Sequence, residues 1–489
     1  MNNSLQDIPQ TKLKGDFQVP QIISGLWQIA DMEREGALQD YSKLVADMHS
    51  YAAAGLSTFD MADHYGSAED ICGAYRQQYQ QELPIQTMTK WVPKPGPVSK
   101  DTVKEAVGIS LKRLKAEQID MMQFHAWQYP DPAWLDALFY LQELKEEGLI
   151  KNLGLTNFDT AHLRMVIKSG IEVVSNQVCH SLLDMRAAKA MSDLCMESGV
   201  RLFAFGTLAG GFLSDRWLGK PEPKLDESLT WSQMKYKRFM DIATDWQGFQ
   251  TLLQTLASVG KRHNASIANV ATRFMLQQPA VAAVLIGARL GESNRMADNL
   301  KLFQFELNKE DLSEINEVIS QFQTIPGDCG DEYRRPPFLT ASGDLSHHFE
   351  GFPPPYPTVT GSDGRTKALS GTVWEDMAGY SRAVRKGNII TISGTTATHG
   401  ERVIGSDDPG AQAHFVLDKI EGALLSLGSS MEDVIRTRIF VTKLDDWEPV
   451  ARAHGERFAE IQPANTLVQA QLVGDEYLVE IEADALVND

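Results

Sequence analysis

The sequence predicts an α/β fold in two parts, a closed (β/α)8 barrel followed by a smaller α+β domain. Three observations predict this fold: eight short apolar runs that mostly precede helix-length amphipathic stretches, a proline- and glycine-rich segment after them, and a C-terminal region with a different pattern. At about 150 residues per domain, 489 residues suffice for two or three domains. We assign residues 1–326 to the barrel, 327–371 to a connector and 372–489 to the C-terminal domain.

The eight apolar runs are typical of buried strands in a parallel sheet, because each is short and helical patterns such as 99–116 and 132–148 follow them. The runs are Ile22–Trp27, Leu56–Asp60, Ile85–Lys90, Ile119–His125, Lys151–Asn157, Val173–Gln177, Leu202–Phe205 and Val284–Ile286. Eight strand–helix units favour a closed barrel over an open sheet. No G-x-G-x-x-G motif follows the first run, so a Rossmann site is not predicted. The long gap between the last two runs indicates an insertion in addition to a helix.

Prolines and glycines interrupt any periodicity in the connector between Gly327 and Arg365. Proline fixes φ and removes a donor, so we expect no regular element over the length of this segment. Its aromatic side chains would be costly to expose to water, so we expect the connector to lie ordered against a domain. These side chains are Tyr333, Phe338, Phe349, Phe352 and Tyr356.

The C-terminal region reads as two ββα-like halves. Residues 387–397 and 434–444 are strand-like, residues 411–427 and 448–461 are helical, and two further strands follow. This order predicts a small sheet with its helices packed on one face.

Composition excludes several classes of function. The chain carries 65 acidic and 46 basic residues, a net charge of −19, and residues 372–489 alone carry 20 acidic and 10 basic residues, a net of −10. This balance argues against a nucleic-acid binder and against attachment to anionic membranes. The four cysteines lack CxxC spacing, so neither a metal site nor a disulfide framework is predicted. With no apolar leader and no long apolar run, we expect a cytoplasmic protein in a reducing compartment.

Chemistry in such a barrel belongs at the carboxyl ends of the strands. Those ends carry Asp60, Lys90, His125, Asn157 and Gln177. Tyr65 follows Asp60 in the loop FDMADHYG. A free phenol has a pKa near 10, and a neighbouring ammonium is expected to lower it, so Lys90 would make Tyr65 a better proton donor. In this group Asp60 would hold Lys90 in place, and His125 would donate a hydrogen bond to a substrate oxygen.

At these residues the chain resembles the aldo-keto reductases, over about residues 19–322. The matching motifs, in order, are FDMADHYG, TMTKW, IDMMQFHAW, NLGLTNF, SNQVCH, AFGTLAGG and IGARLGESNRMADNL. The resemblance implies a nicotinamide cofactor, usually NADPH, bound in extended form across the barrel mouth. It also implies that Tyr65 is the general acid and that Asp60, Lys90 and His125 support it.

The resemblance further implies cofactor-binding residues around the mouth. The nicotinamide amide would contact Thr156, Asn157 and Gln177, and Phe205 replaces the tyrosine that usually stacks on the ring. Gly206-Thr207 stands where the family usually has Ser-Pro. Arg289 and Arg295 favour the extra phosphate of NADPH, with NADH as the alternative. The remaining cofactor-binding candidates are Trp27, Gly206 (on the pyrophosphate side) and Leu208, and Asp298 and Asn299 with the two arginines at the adenosine end.

The C-terminal region resembles the Rid family, the YjgF-like reactive-intermediate deaminases, over about residues 373–487. The motifs are AGYSRAVRKGNIITISG, SSMEDVIRTRIFVT, PANTL and YLVEIEADAL. The resemblance implies a chorismate-mutase-like fold and a trimer with clefts between subunits. Asn465 stands where active deaminases carry a carboxylate-binding arginine, while Glu480 and Tyr380 keep the positions of a water-activating acid and an aromatic cleft residue. An asparagine cannot form a charged bidentate clamp.

Three functions remain open. The first is a reductase of a small carbonyl substrate (an aldehyde, ketone or sugar lactol) whose C-terminal domain forms trimers or binds a ligand. The second is a bifunctional enzyme with an active deaminase-like cleft, against which Asn465 argues. The third is a non-catalytic barrel that senses its cofactor, against which the intact set of Tyr65, Lys90, Asp60 and His125 argues.

Overall fold

A computed structural model of the protein describes residues 8–29, 40–226, 228–292, 295–334 and 351–488. It confirms the barrel, since all eight apolar runs form strands of one closed parallel barrel. A short antiparallel hairpin precedes it, β1 (Gln10–Lys12) and β2 (Gln18–Pro20). The barrel strands are β3 (Ile22–Gly25), β4 (Thr58–Asp60), β5 (Gln86–Trp91), β6 (Met121–Phe124), β7 (Leu153–Thr156), β8 (Ser175–Cys179), β9 (Arg201–Phe205) and β10 (Val281–Gly287). Strand β10 pairs with both β3 and β9 and so closes the ring.

The N-terminal hairpin fills one end of the barrel. Leu13, Phe17 and Val19 are buried there in a cluster with inward-facing strand residues such as Ile23 and Phe203. A barrel of this size is filled by side chains rather than forming a pore. The opposite end, at the carboxyl ends of the strands, is therefore the end available for a binding site.

Helices surround the barrel in the alternating order that the sequence predicts. They are α1 (Tyr41–Ala53), α2 (Ala68–Tyr79), α3 (Lys100–Leu114), α4 (Ala133–Glu146), α5 (Thr160–Lys168), α6 (Ala190–Ser198), α7 (Trp231–Ala243), α8 (Trp246–His263), α9 (Ile267–Leu276), α10 (Met296–Leu300) and α11 (Lys309–Ile319). The expected insertion between the last two strands consists of α7 and α8, which precede the α9 helix. Several helices begin at a capping side chain, such as Ser99 for α3 and Asp159 for α5, each of which accepts a hydrogen bond from a backbone N–H of the first turn.

The C-terminal domain is a seven-stranded sheet in the order β11-β12-β13-β14-β19-β17-β18. Its elements are β11 (Thr358–Thr360), β12 (Arg365–Ala368), α12 (Val373–Ala378), β13 (Ala383–Lys386), β14 (Ile389–Thr395), β15 (Thr398–His399), β16 (Arg402–Val403), α13 (Pro409–Ser426), β17 (Val434–Val441), α14 (Trp447–Phe458), β18 (Ala464–Gln469) and β19 (Val479–Leu486). Helices α13 and α14 cover one face, as predicted. Alternate residues of β19, from Val479 to Ala485, are buried against that face.

The connector is not irregular over its whole length. Strands β11 and β12 lie inside it, and β12 pairs with β13 of the C-terminal sheet. The structure confirms that two of its aromatic residues lie against a domain: Tyr333 lines the barrel mouth and Tyr356 is buried beside α13. Phe352 is 38% exposed. Phe338 and Phe349 lie outside the described residues.

The two domains dock through helices α5 of the barrel and α13 of the C-terminal domain. Helix α13 is buried along nearly all its length because the sheet, α14 and α5 surround it. The centre of this contact is His162 on α5, whose Nδ1 lies 2.7 Å from Asp159 Oδ1 and whose Nε2 lies 2.9 Å from Asp418 Oδ2. The Tyr129 ring stacks on the imidazole, and Arg457 donates to the other oxygen of Asp418 at 2.6 Å. A buried ionic network therefore joins the domains.

The charge of His162 follows from this geometry. Burial opposes the imidazolium, but the carboxylates of Asp159 and Asp418 outweigh burial and raise the pKa of His162 to about 9. A raised folded-state pKa contributes stability that is complete below the unfolded value near 6.5 and is lost as the pH rises through 9. Burial alone would raise the pKa values of Asp159 and Asp418, but the His162 imidazolium and the nearby arginines outweigh burial and lower them. Both carboxylates therefore become protonated only in acid.

We predict that the free energy of unfolding falls by up to about 3 kcal/mol between pH 6.5 and 9.5 because the buried imidazolium deprotonates. Urea unfolding at a series of pH values measures it. His162→Gln should be less stable and should lose this pH slope. Lys168→Gln, which removes the half-exposed interface pair with Asp407, should keep it. An unchanged slope in His162→Gln would contradict the assignment.

Candidate active site

The barrel residues predicted to be catalytic or to bind the cofactor all line one cavity. It lies at the carboxyl ends of the strands and has a volume of about 670 Å³. The lining includes Asp60, Tyr65, Lys90 and His125, and also Trp27, Thr156, Asn157, Gln177, Phe205, Gly206, Leu208, Arg289, Arg295, Asp298 and Asn299. The structure therefore brings together residues that lie more than two hundred positions apart in the sequence.

An ion pair lies at the base of this cavity. Lys90 Nζ donates to Asp60 Oδ2 at 2.5 Å and to the Met61 carbonyl oxygen at 3.0 Å, and both side chains are buried. Burial, only partly offset by Asp60, lowers the pKa of Lys90. A buried ammonium without its carboxylate would be strongly destabilised, so Asp60 keeps Lys90 charged and fixed in position.

Asp60 Oδ1 is held by two amides. Gln123 Nε2 and Gln177 Nε2 each donate to it at 2.8 Å, and Gln177 also donates to Gln123 Oε1 at 3.0 Å. The structure thus places the amide nitrogen of Gln177, predicted to contact a nicotinamide, on Asp60. Gln123 was not identified from the sequence. The sequence does contain a signal for Gln123. It is a polar residue within the apolar run Ile119–His125, and because it lies two positions before His125 it is on the same inward face of the strand.

Tyr65 lies above the ion pair. Lys90 Nζ is 5.6 Å from the centre of the phenol ring, which packs edge-on against Trp27 and His64. The expected lowering of the pKa of Tyr65 by Lys90 is wrong: burial first, and then the charge of Asp60, raises this pKa well above 10. Because Asp60 neutralises Lys90, the pair offers little net positive charge to a phenolate. Tyr65 is accordingly fully protonated at neutral pH and holds a proton that it can donate.

His125 follows β6 and is buried. Its Nδ1 lies 3.3 Å from the carbonyl oxygen of Thr156, an atom that can only accept, so this contact assigns the ring hydrogen to Nδ1. In that tautomer Nε2 donates only when the ring is protonated. The ring packs edge-on against Trp127 and Tyr333, which place it in an aromatic wall of the cavity.

The predicted nicotinamide end offers unsatisfied polar atoms. Asn157 has a positive φ of 59°, and its buried Oδ1 has no hydrogen-bond partner among the described residues. Thr207 Oγ1 is likewise buried without a partner there. Buried polar atoms without partners are costly; a carboxamide N–H could donate to Asn157 Oδ1, and Thr207 Oγ1 could donate to a phosphate oxygen. The residues present therefore fit a nicotinamide cofactor.

The departure Gly206-Thr207 has a steric reason. Gly206 has a φ of 72°, and a Cβ added there would lie 2.2 Å from the Tyr236 hydroxyl oxygen. Only glycine fits this position. The neighbouring Phe205 and Leu208 line the cavity, as the stacking role predicted for Phe205 requires.

The predicted adenosine end lies after β10. Arg289 and Arg295 line the cavity with Asp298 and Asn299, and the Arg289 side chain is more than half exposed. The guanidinium of Arg289 lies 4.0 Å from the carboxylate of Glu292. A weakly held, solvent-exposed guanidinium is available to an anionic ligand group.

Two further residues of the cavity were not identified from the sequence. Lys235 lies on α7 in the insertion and Tyr333 lies in the connector, and Lys235 Nζ donates to the Tyr333 hydroxyl oxygen at 2.6 Å. Neither position follows a strand, so the strand-end argument could not find them. Only the folded chain brings them together.

The residues predicted for a C-terminal cleft do not converge within one chain. Asn465 Nδ2 donates to Thr437 Oγ1 at 2.9 Å, on the face covered by the helices. Glu480 pairs with Phe440 on the opposite, open face, and burial raises its pKa. Tyr380 is half-buried in the turn after α12. A cleft using all three residues would need a neighbouring copy of the chain.

Comparison with known proteins decides the family. The aldo/keto reductase family model matches residues 21–320, well over half of the chain. The chain belongs to the aldo/keto reductase family. This member of the aldo/keto reductases carries a second match, to the model described as endoribonuclease L-PSP, at residues 373–487, and this C-terminal domain is of the YjgF type.

Individual relatives match one domain or the other. The barrel of this aldo/keto reductase is 25% identical over 226 residues to the NADH-specific methylglyoxal reductase of Escherichia coli, covering 45% of this chain and 65% of that protein. The C-terminal domain is 34% identical over 125 residues to an uncharacterized protein of Streptomyces coelicolor, covering 25% of this chain and 93% of that protein. The glycerol dehydrogenase of Gluconobacter oxydans has the same barrel fold, with a TM-score of 0.53 and 19% identity over 65% of this chain and 97% of that one.

Membership in the aldo/keto reductases establishes the class of reaction. The chain is an oxidoreductase of the carbonyl/alcohol type that uses a nicotinamide cofactor. Within the described ranges, no helix is both long and apolar enough to cross a bilayer. The same residues contain no cluster of three or more His, Cys, Asp or Glu side chains suited to a metal ion.

Proposed function

We propose that the barrel catalyses NAD(P)H-dependent reduction of a small carbonyl compound, with Tyr65 as the proton donor. The observation that supports this most is the arrangement of Tyr65 above the buried Lys90–Asp60 pair, in the same cavity as His125. A bound reduced nicotinamide supplies the hydride. The chain's own residues bind and orient the substrate, exclude water and deliver the proton.

The proposed roles follow from the contacts. Tyr65 donates its hydroxyl proton to the carbonyl oxygen as negative charge develops there, and Lys90 Nζ lies 5.6 Å from the centre of its ring. Asp60, braced by Gln123 and Gln177, holds Lys90 in position. The raised pKa of Tyr65 keeps the donor loaded at neutral pH, which favours reduction over oxidation.

The cofactor would lie across the mouth from β7 to α10. Asn157 and Thr156 would hold the carboxamide, Phe205 would stack on the ring, and Gly206 and Leu208 would line the turn towards the phosphates. At the other end Arg289 and Arg295, with Asp298 and Asn299, would hold the adenosine, and the two guanidinium groups favour a 2′-phosphate and hence NADPH.

We predict that Tyr65→Phe lowers kcat by roughly 10²- to 10⁴-fold, because the proton donor is lost while the ring contacts remain. The measurement is consumption of reduced cofactor, followed by absorbance, with a panel of aldehydes, ketones and sugar lactols. Cofactor binding, measured by fluorescence quenching, should be nearly unchanged. Tyr79→Phe on α2, outside the cavity, is the matched control. Full activity in Tyr65→Phe would refute the assigned role.

We predict that replacing Arg289 and Arg295 together by Gln raises the KM for NADPH on the order of tenfold or more and changes the KM for NADH much less. A charge-assisted contact to a phosphate is worth about 1.5–3 kcal/mol, and NADH lacks that phosphate. Initial rates with both cofactors test this. The control is Arg273→Gln, because Arg273 pairs with Glu306 instead. Equal effects on the two cofactors would show that these arginines do not read the 2′-phosphate.

We further propose that the C-terminal domain assembles the chain into trimers and is not an ordinary imine deaminase. Its helical face is occupied by the barrel, so the open sheet face and the edges remain for assembly. Ile389, Val468 and Leu486 on strands of this sheet are exposed apolar residues of the kind that interfaces bury. Asn465 offers no positive charge to an anionic substrate in a domain with a net charge of −10.

Light scattering on the full chain should therefore give a trimer. Val468→Lys should shift the mass towards the monomer, because it places a charge on the sheet surface proposed to be buried. Ile109→Lys, at an exposed apolar position on α3 of the barrel, should leave the mass unchanged. A monomer before any substitution would refute the assembly.

Rapid hydrolysis of 2-aminoacrylate-type imines, lost in Glu480→Ala, would show that the cleft is an active deaminase.

A further inference from the structure

Lys235 is a buried cation that the reaction described above does not use. Its side chain is 3% exposed and lines the active-site cavity. Its Nζ donates to the Tyr333 hydroxyl oxygen and lies 5.2 Å from the centre of the Phe205 ring and 4.4 Å from that of Tyr333. Within the described part of the chain, it forms no ion pair with a carboxylate.

Two other buried lysines of this protein are paired with carboxylates. Lys90 is paired with Asp60, and Lys237, two residues along α7, is paired with Glu222 and Asp241. An ammonium in a buried site is costly unless an anion neutralises it. Burial opposes the charge of Lys235, but the hydrogen-bonded Tyr333 and the nearby carboxylate of Glu332 favour it, and the pKa of Lys235 is raised.

Tyr333 is held at the cavity by a rigid stretch of the connector. Arg334 donates to the Ala126 carbonyl oxygen at 2.7 Å and to the Asn157 carbonyl oxygen at 2.6 Å. Gly330 has a φ of 83°, and a Cβ there would lie 2.0 Å from the Asn157 oxygen, so glycine is needed for this close approach. Glu332 accepts from Arg186 at 2.9 Å in a buried pair. The phenol of Tyr333 is therefore a fixed wall of the pocket.

The Lys235–Tyr333 pair lies beside the reacting centre. Tyr333 packs edge-on against His125 at a centroid distance of 5.7 Å, and Lys235 lies against Phe205, the proposed nicotinamide-stacking ring. Because Lys235 donates to the Tyr333 oxygen, the hydroxyl hydrogen of Tyr333 remains to be donated elsewhere. Two donors, one of them charged, thus lie 2.6 Å apart in the pocket. Two such neighbouring donors suit the two oxygens of one carboxylate.

We propose that Lys235 and Tyr333 bind a carboxylate of the substrate, so that the barrel reduces oxo acids to hydroxy acids. The proposal rests on the proposed carbonyl reduction. In the balanced reaction, the carbonyl carbon gains a hydride from the reduced nicotinamide, which is oxidised, and the π electron pair moves to the carbonyl oxygen. That oxygen takes the proton of Tyr65. The carboxylate is unchanged and neutralises Lys235.

The test compares oxo acids with their neutral esters. The probes are 2-oxobutanoate, 4-oxopentanoate and 5-oxohexanoate, each beside its methyl ester. At least one acid should have a kcat/KM tenfold or more above that of its ester. Lys235→Met should lower kcat/KM for that acid about 100-fold and change the value for the ester less than threefold. Tyr333→Phe, which keeps the ring, should lower the value for the acid three- to tenfold and thus remains informative if Lys235→Met does not fold.

Lys237→Met is the matched control, because it removes a buried ammonium from the same helix outside the cavity lining. It should keep the preference for the acid. The dissociation constant of NADPH should be the same in Lys235→Met as in the unmodified protein. A raised dissociation constant with the acid preference intact would assign Lys235 to the cofactor and overturn the proposal.

Three other outcomes also overturn it. One is equal kcat/KM for acids and esters in the unmodified protein. Another is a Lys235-dependent preference for dihydroxyacetone phosphate over dihydroxyacetone without one for any oxo acid, which would replace the carboxylate by a phosphate. A third is the lack of any binding of the oxo acids, measured by quenching of tryptophan fluorescence. Failure of the proposed carbonyl reduction is distinct, because neither acids nor esters would then be reduced although binding of the acids still depended on Lys235.

Discussion

The buried ion pair between Asp60 and Lys90 is the interaction on which the barrel mouth depends. Asp60 ends β4 and Lys90 lies on the neighbouring β5, so the pairing of these parallel strands brings the two side chains together. Each charge alone would carry a desolvation penalty of several kcal/mol in this position. The amides of Gln123 and Gln177 satisfy the second oxygen of Asp60 and so reduce the remaining penalty. Four strands thereby fix the position of one ammonium below Tyr65.

The pair also explains why the phenol of Tyr65 keeps its proton. An unpaired ammonium would draw the pKa of a nearby phenol down, whereas this ammonium is already neutralised. Burial is the main reason for the raised pKa of Tyr65, and the charge of Asp60 adds to it, so the carboxylate that fixes Lys90 also helps Tyr65 to keep its proton. Tyr65 beside this ion pair is therefore suited to donating a proton in a site without water, and not to remaining a phenolate.

Much of this arrangement could be predicted from the sequence, for a physical reason. Strands buried on both sides must be short apolar runs, and parallel strands in a closed barrel bring their carboxyl ends to one mouth, so a polar residue at such an end is conspicuous. Asp60, Lys90 and His125 were found in this way. Gln123 was not found, because an inward polar residue within a run looks like any other interruption of an apolar pattern.

Lys235 and Tyr333 could not be predicted because no local pattern places them. One lies on a helix of the insertion and the other in a segment whose prolines and glycines indicate only irregular backbone. Their positions depend on contacts between distant parts of the chain, such as Arg186 with Glu332 and Arg334 with the Asn157 carbonyl oxygen. The strands β11 and β12 were missed for a similar reason, since they exist through pairing with β13.

The connector ties the active site to the contact between the domains. Asp328 accepts from the backbone N–H of Thr160, the first residue of α5, and Tyr333 follows five residues later in the wall of the cavity. Helix α5 carries His162, which bonds Asp418 of the C-terminal domain. The contacts of Arg334 and Glu332 with barrel residues fix the other side of the segment that holds Tyr333. We therefore expect a chain ending at the predicted boundary of residue 326 to keep Tyr65 and the Asp60–Lys90 pair but to lose one wall of its pocket.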